Sequence, residues 1–233
     1  AAGLVAFAAG IRTGLPALRL APIYLALATF ALAVATPQIL KLTPLEGLTG
    51  GGQGLIVLKP DPPRALLLTQ DQWLYIVTLA TALALYGIAR NIVASRTGRA
   101  LMAIRDNPTA ALAMGIDVAR TKTLTFGVSA MFTGIAGALS ALVVGFVAPD
   151  SFTFSLSVAL LVGLVVGGVG WLPGALIGGT FVLFVPNLAE HVHKGLSGAV
   201  YGLCLILVVY LMPSGAGGFL RALTSKLSRR RLP

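Results

Sequence analysis

Few side chains in this 233-residue sequence could do covalent or proton chemistry, and their spacing argues against it. His191 and His193 alternate in "EHVHK" with no third clear ligand close by, whereas a zinc site needs three or four convergent donors. No metal is expected. The order G-x-x-x-x-G-K-[ST] occurs nowhere, and "HKGLSG" at 193–198 lacks it, so a nucleotide would have to be handled by a separate subunit. No cluster of His, carboxylate or nucleophile falls inside an apolar run. Cys204, the one cysteine, reads as a small buried hydrophobe. The expectation is a chain that is not an enzyme and holds no cofactor of its own.

What remains is hydrogen-bonding chemistry inside apolar segments. Thr125, Ser129, Thr133 and Ser140 share one such run, where hydroxyls either meet a polar solute or bond a neighbouring helix. Segments 124–148 and 155–189 contain no Asp, Glu, Lys, Arg or His. Ion-coupled carriers place ionisable groups in their spans because those groups carry the coupling. A translocation path through Thr125, Ser129 and Thr133 would therefore work with hydroxyls and backbone groups. Small residues recur at four-residue spacing: Ala130, Gly134 and Ala138; Gly163 and Gly167; Gly170, Gly174 and Gly178. That spacing lets helices approach closely in lipid. Gly167, Gly168 and Gly174 are candidates for the border of such a path or for plain packing.

A charged stretch stands apart from these runs. "GRALMAIRDNPTAALAMGIDVARTK", residues 98–122, carries Arg99, Arg105, Arg120 and Lys122 with Asp106 and Asp117. Leu101 and Ile104 lie three apart, on one helical face, with Arg99 and Arg105 off it. Asn107 precedes Pro108, and a residue before proline is pushed out of the helical region. Asn is also a good N-cap, and proline suits the first helical position. One short helix should stop there and another run from Pro108 to Met114, with Gly115 as its left-handed C-cap. Two short helices at a bend make a compact knob. An amphipathic helix lying on the membrane surface is the plainer alternative, but a second helix that is nearly all Ala, with Leu112 and Met114, is poorly anchored in lipid and suits close packing in a protein groove better.

The elements that must hold these residues are membrane helices. The chain is 57% hydrophobic and 10% charged, where soluble domains carry roughly 25% charged residues. Apolar segments fall at 20–40, 73–93, 124–148, 155–170, 172–189 and 198–213. They are long and continuous, which favours helices over the alternating strands of a barrel. "AAGLVAFAAGI" reads as the later half of a helix, so a longer protein is expected. Arg90, Arg96, Arg99, Arg105, Arg120 and Lys122 form one basic cluster, and Arg221, Lys226, Arg229, Arg230 and Arg231 a basic tail at 219–233. Short basic loops stay inside. Residues 42–72 then lie outside, with Lys41, Lys59 and Arg64 as cations on the unfavoured side. Segment 155–189 must start and finish outside, reversing at "VVGGVGWLPGALIGG" either as two short crossings or as a re-entrant pair. Trp73 and Trp171 fall near segment ends, as interfacial aromatics do. Asp150 would either meet a partner or cap the following helix. Net charge +10 reads as an orientation signal, not as nucleic-acid binding.

"RTGRALMAIRDNPTAALAMGIDVARTKTLTFGVSA" resembles the cytoplasmic signature of permease subunits of branched-chain amino acid ABC importers. "GLPALRL", "YLALATFALA", "LTGGGQGL", "GIAGAL", "APDSF" and "GGVGWLPGALIGG" resemble further stretches of that family, from about Gly14 to Gly215. The chain departs from the family pattern at Ala21-Pro22, Gly52-Gln53, Pro108-Thr109 and Leu112. The resemblance implies an all-α, polytopic helical membrane protein: an ABC-importer permease with cytoplasmic coupling helices, one domain over 1–233 with its coupling loop at 95–122. Ala110, Ala111 and Gly115 match the docking signature, with Arg99, Arg105, Asp106, Asn107 and Ile116 around it. The implied partners are ABC ATP-binding subunits, a sister permease subunit and a periplasmic or lipid-anchored solute-binding protein, in the bacterial inner membrane. The implied cargo is a branched-chain amino acid, with urea or a short amide as the alternative. A channel or ion-coupled carrier would have no reason to carry the knob.

Overall fold

A computed structural model describes residues 1–17, 22–63 and 69–192, with 202, 206, 210, 215, 217 and 218. Arg19, Arg64, His193, Cys204 and the basic tail lie outside the described residues, as does most of the apolar run 198–213. The chain is all-α apart from one two-stranded ribbon among the described residues. Its contacts divide it into two compact units, Ala1–Ser151 and Phe152–Pro233.

In the first unit, α1 (Ala2–Ala17), α2 (Pro22–Leu40), α3 (Glu46–Thr49) and α4 (Gln70–Ala94) precede two short helices. These are α5 (Arg96–Asp106) and α6 (Pro108–Ala113), and the long α7 (Val118–Val144) follows them. At 25 and 27 residues, α4 and α7 run about 37 and 40 Å at 1.5 Å per residue. Both exceed the ~30 Å hydrocarbon core, and both are apolar enough to cross it. α7 begins six residues before the apolar run expected at 124. Asp117 caps it there, its carboxylate accepting the Arg120 N–H at 2.9 Å. A polar first turn contributes nothing to hydropathy, so the apolar run alone starts the helix late.

α1 packs antiparallel on α7 through small residues on both helices. Gly3 faces Ile135, Ala6 meets Gly134, and Gly10 lies against Ala130 and Gly127. Ala130 and Gly134 were the small residues expected at such a contact. Their partner stripe, Ala2, Ala6, Gly10 and Gly14, has the same four-residue spacing and lies in the opening stretch.

At one end of α4 and α7 the chain forms a small cap. β1 (Leu55–Ile56) pairs antiparallel with β2 (Phe146–Val147), in the register Leu55↔Val147 and Ile56↔Phe146. This ties the segment before α4 to the segment after α7, which puts both at the same end of the helices. Lys41 pairs with Asp150 at 2.6 Å and Lys59 with Asp71 at 3.4 Å. Two of the three cations expected on the unfavoured side therefore stand beside carboxylates. Thr153, not Asp150, caps the next helix by accepting the Leu156 N–H, and Asp150 binds Lys41.

In the second unit α8 (Phe154–Gly167) and α9 (Gly174–Val192) form a helical hairpin. The reversal at 168–173 holds Gly168 and Gly170 at positive φ, 96° and 84°, and contains Trp171. Gly163 and Gly167 of α8 lie against Gly178 and Gly174 of α9, backbone on backbone. At 14 residues α8 is about 21 Å long, short of the ~30 Å core.

Candidate docking site

The charged stretch folds as a knob at the end of α4 and α7 opposite the ribbon. Ser95 closes α4, and α5 then turns across its end. Ile104 is buried and Leu101 half-buried, while Arg99 and Arg105 are exposed. This is the two-faced pattern expected from their spacing. α5 packs on α4, α6 and α7. Gly98 is buried where α5 crosses the last carbonyls of α4, so close that a Cβ would fall on the Val93 carbonyl. Nothing in the local sequence signals that contact.

Asn107 ends α5 and starts α6. Its Oδ1 accepts the Thr109 N–H at 3.0 Å and the Ala110 N–H at 3.1 Å, satisfying two of the free donors at a helix start. Pro108 takes the first helical position. The other end closes as a Schellman motif: the Ile116 N–H donates to the Ala111 carbonyl and the Gly115 N–H to the Leu112 carbonyl, both at 3.0 Å. Gly115 has φ 81°, the left-handed conformation this motif needs.

Two details of the knob differ from what the sequence suggested. Ala111, expected at a contact surface, is only 3% exposed and packs within this chain. The surface belongs to Leu112 and Met114, 58% and 83% exposed, together with Ala110, Ala113 and Gly115. Leu112 and Met114 were expected on this groove-packing helix but not among its docking residues, although a large apolar residue on a short charged segment is a signal of contact. Second, the space around Gly115 is open: a Cβ there would meet no atom of this chain within 4 Å. Its requirement is one of backbone conformation alone. Arg105 pairs with its neighbour Asp106 at 3.3 Å on the exposed face, an arrangement that contributes little energy. Ile116 is half-buried.

The conformational requirement gives a local prediction. Gly115→Val should cost about 1–2 kcal/mol, the penalty of a left-handed residue with a Cβ. Tryptic cleavage at Arg105 and Arg120, on either side of α6, should quicken about tenfold, because 1.4 kcal/mol is a factor of ten. Gly115→Asn should change it little, since Asn visits this conformation readily. Equal cleavage of Gly115→Val and wild type would contradict the strained cap.

Comparison with known proteins places the chain. The family "Branched-chain amino acid transport system / permease component" matches residues 1–209. The chain belongs to this permease family. It is 32% identical over 197 residues to the high-affinity branched-chain amino acid transport system permease protein LivM of Escherichia coli K12, covering 72% of this chain and 45% of that protein. It is also 32% identical over 155 residues to LivH of the same organism, covering 66% of this chain and 49% of LivH. A probable branched-chain amino acid transport permease protein LivH of Methanocaldococcus jannaschii is 28% identical over 141 residues, 59% of this chain and 44% of that one. The chain thus spans less than half the length of the curated relatives it matches. No solved structure matches.

Within this permease chain the path candidates separate into two groups. Gly167, Gly168 and Gly174 are buried. Gly167 and Gly174 are consumed by the α8–α9 contact, and Gly168 lies against Gly215. Close packing of this kind fits both a plain contact and a sliding interface beside a path. Thr125, Ser129 and Thr133 line one face of α7, with Ser129 and Thr133 exposed and Thr125 half-buried. The Thr125 hydroxyl donates to the Thr121 carbonyl and the Thr133 hydroxyl to the Ser129 carbonyl. Both bonds lie within α7 instead of reaching another helix. The hydroxyl oxygens keep free acceptor capacity on a face that α1 leaves uncovered. No group of three or more His, Cys, Asp or Glu converges to hold a metal among the described residues.

Proposed function

We propose that this chain forms part of a transmembrane permease subunit of an ATP-driven importer that carries branched-chain amino acids across the bacterial inner membrane in several passes. The ATP-binding subunits, a sister permease and a solute-binding protein complete the machine, and ATP is bound by the partner subunits. The observation that carries the reading is the knob of 95–117. It is a capped, internally packed pair of short helices that presents Leu112 and Met114 at the end of two long apolar helices. A channel has no use for such a lever. Family membership and the names of LivM and LivH support branched-chain amino acids over urea or short amides as cargo.

In this reading the knob sits in the cytoplasm, where the basic residues Arg90, Arg96, Arg99, Arg120 and Lys122 surround its base. Leu112, Met114, Ala110 and Ala113 enter a groove on the ATP-binding subunit, with Arg99, Arg105 and Asp106 at the rim. Ala111, Asn107 and Gly115 hold the knob's shape. Thr125, Ser129 and Thr133 face the solute or the sister subunit.

The test is co-purification of the full-length protein from membranes. Wild type should bring down an ATP-binding subunit, and a Leu112→Glu, Met114→Glu double variant should retain at least about tenfold less of it, as loss of central apolar contacts does. These exposed positions are preferable to Ala111, where any larger side chain would unseat the knob itself. Equal recovery by both proteins would overturn the docking surface, and absence of any ATP-binding subunit from both would overturn the importer reading.

A further inference from the structure

The ribbon end carries an apolar strip that the docking reading does not use. In an extended segment alternate side chains share a face, so Gly54, Ile56 and Leu58 lie on one side. Phe146 stands opposite Ile56 in the register of the ribbon, and its ring packs where a Cβ of Gly54 would be. Ile56 is 82% exposed, Leu58 89% and Phe146 45%. The Lys41–Asp150 and Lys59–Asp71 pairs belong to the same end of the unit, and an apolar patch rimmed by polar groups marks an interaction site.

What covers the strip follows from its depth. Gln70 donates to the Lys59 carbonyl at 3.2 Å, and Lys59 pairs with Asp71. Leu58 is therefore held within one residue of the first turn of α4, a helix long and apolar enough to cross the membrane. Trp73 and the exposed Tyr75 follow within that helix, the residue types that sit at headgroup level. The exposed apolar surface then continues down α4 through Ile76, Leu79 and Leu83. Pro60, Pro62 and Pro63 favour an extended chain after the strip.

We propose that Ile56, Leu58 and Phe146 form an interfacial anchor, inserted at the headgroup–acyl boundary of the leaflet at this end of α4. The occupant is the lipid surface itself. Ile56 and Leu58 project well clear of the chain, 82% and 89% exposed. Lys59 snorkels toward the headgroups beside it. Anchoring this edge fixes the loop between α2 and α4 against the bilayer while the ribbon carries that restraint to the end of α7. The inference rests on the membrane placement of α4 and does not depend on what is transported.

The experiment uses the full-length protein with Cys204→Ser and any cysteine outside this sequence removed. A nitroxide is attached at Leu58→Cys, or at Gly52→Cys as reference, and the protein is reconstituted in phosphatidylethanolamine–phosphatidylglycerol vesicles. Gly52 is exposed with open space around it, so a label fits there. The ratio of collisions with oxygen to collisions with a water-soluble nickel chelate should be at least about threefold higher at 58 than at 52, as for a side chain at the acyl boundary. Equal, water-like ratios would overturn the anchor. Low collision with both reagents at 58 would also overturn it, naming a protein surface as the occupant. Lipid-like ratios at both positions would overturn the idea of a local strip.

Discussion

Gly178→Ala is expected to leave little of the folded protein in detergent extracts, whereas Gly179→Ala, one residue on, should extract like wild type. The two substitutions are chemically identical. A methyl at Gly178 would fall on the Gly163 carbonyl oxygen of the facing helix. A methyl at Gly179 meets nothing within 4 Å and even gains helix propensity, about 1 kcal/mol over glycine. The reciprocal pair, Gly167 and Gly174, behaves the same way, each occupying the space where the other's Cβ would stand. Overpacking typically costs about 1–3 kcal/mol when side chains can shift. Here the opposing atoms are backbone, and the six-residue reversal 168–173 leaves the helices no slack to separate. Loss of the contact also removes close packing, a principal attraction between helices in lipid. The measurement is size-exclusion recovery after graded heating of extracts. If the two alanine variants lost their monodisperse peak at the same temperature, the hairpin contact would be wrong.

Gly98→Ala is the second substitution with a large expected effect, and it separates insertion from coupling. A Cβ there would press on the Val93 and Ile92 carbonyls at the end of α4. Ser95 already uses the Ile92 carbonyl, through its N–H at 3.1 Å and its hydroxyl at 2.7 Å. The cheapest response is for α5 to swing off α4, which carries α6 with it because the two pack together. The membrane helices α4 and α7 do not depend on that contact, so the protein should still reach the membrane. On the proposed importer reading, solute-stimulated ATP hydrolysis in the assembled complex should fall at least about tenfold, corresponding to about 1.4 kcal/mol or more at the knob. Gly87→Ala, within α4 with open space around it, is the control and should be silent. Equal loss of expression in both variants would show that Gly98 matters for insertion; equal activity would show that the α4–α5 crossing is not tight.

The two glycine contacts show which parts of the molecule were legible beforehand. The knob was, almost to the residue, because its signals are local. Asn107 before Pro108 forbids a continuous helix and caps a new one, and Gly115 ends it, all within nine residues. The start of α7 was missed by six residues because Arg120, Thr121 and Lys122 make its first turns polar, which hydropathy does not register as helix. The small-residue stripe of α1 was missed because it matters only once α7 lies against it. Ala111 and Leu112 show the same limit more sharply. Both belong to one short helix, and composition cannot tell which of two neighbours turns inward.

By itself the sequence determined the class, the order of helices, the position and caps of the knob, and the family. Those depend on hydropathy and on backbone chemistry between residues close in the chain. Tertiary structure decided which glycines have no room for a side chain, which knob residues remain at the surface, and that Ile56, Leu58 and Phe146 share one exposed edge. Each of these is a meeting of residues distant in sequence: Gly163 with Gly178, Gly98 with the end of α4, Ile56 with Phe146. Only packing in three dimensions fixes such distances, because the energy of a close contact depends on position to within a fraction of an ångström and not on residue type.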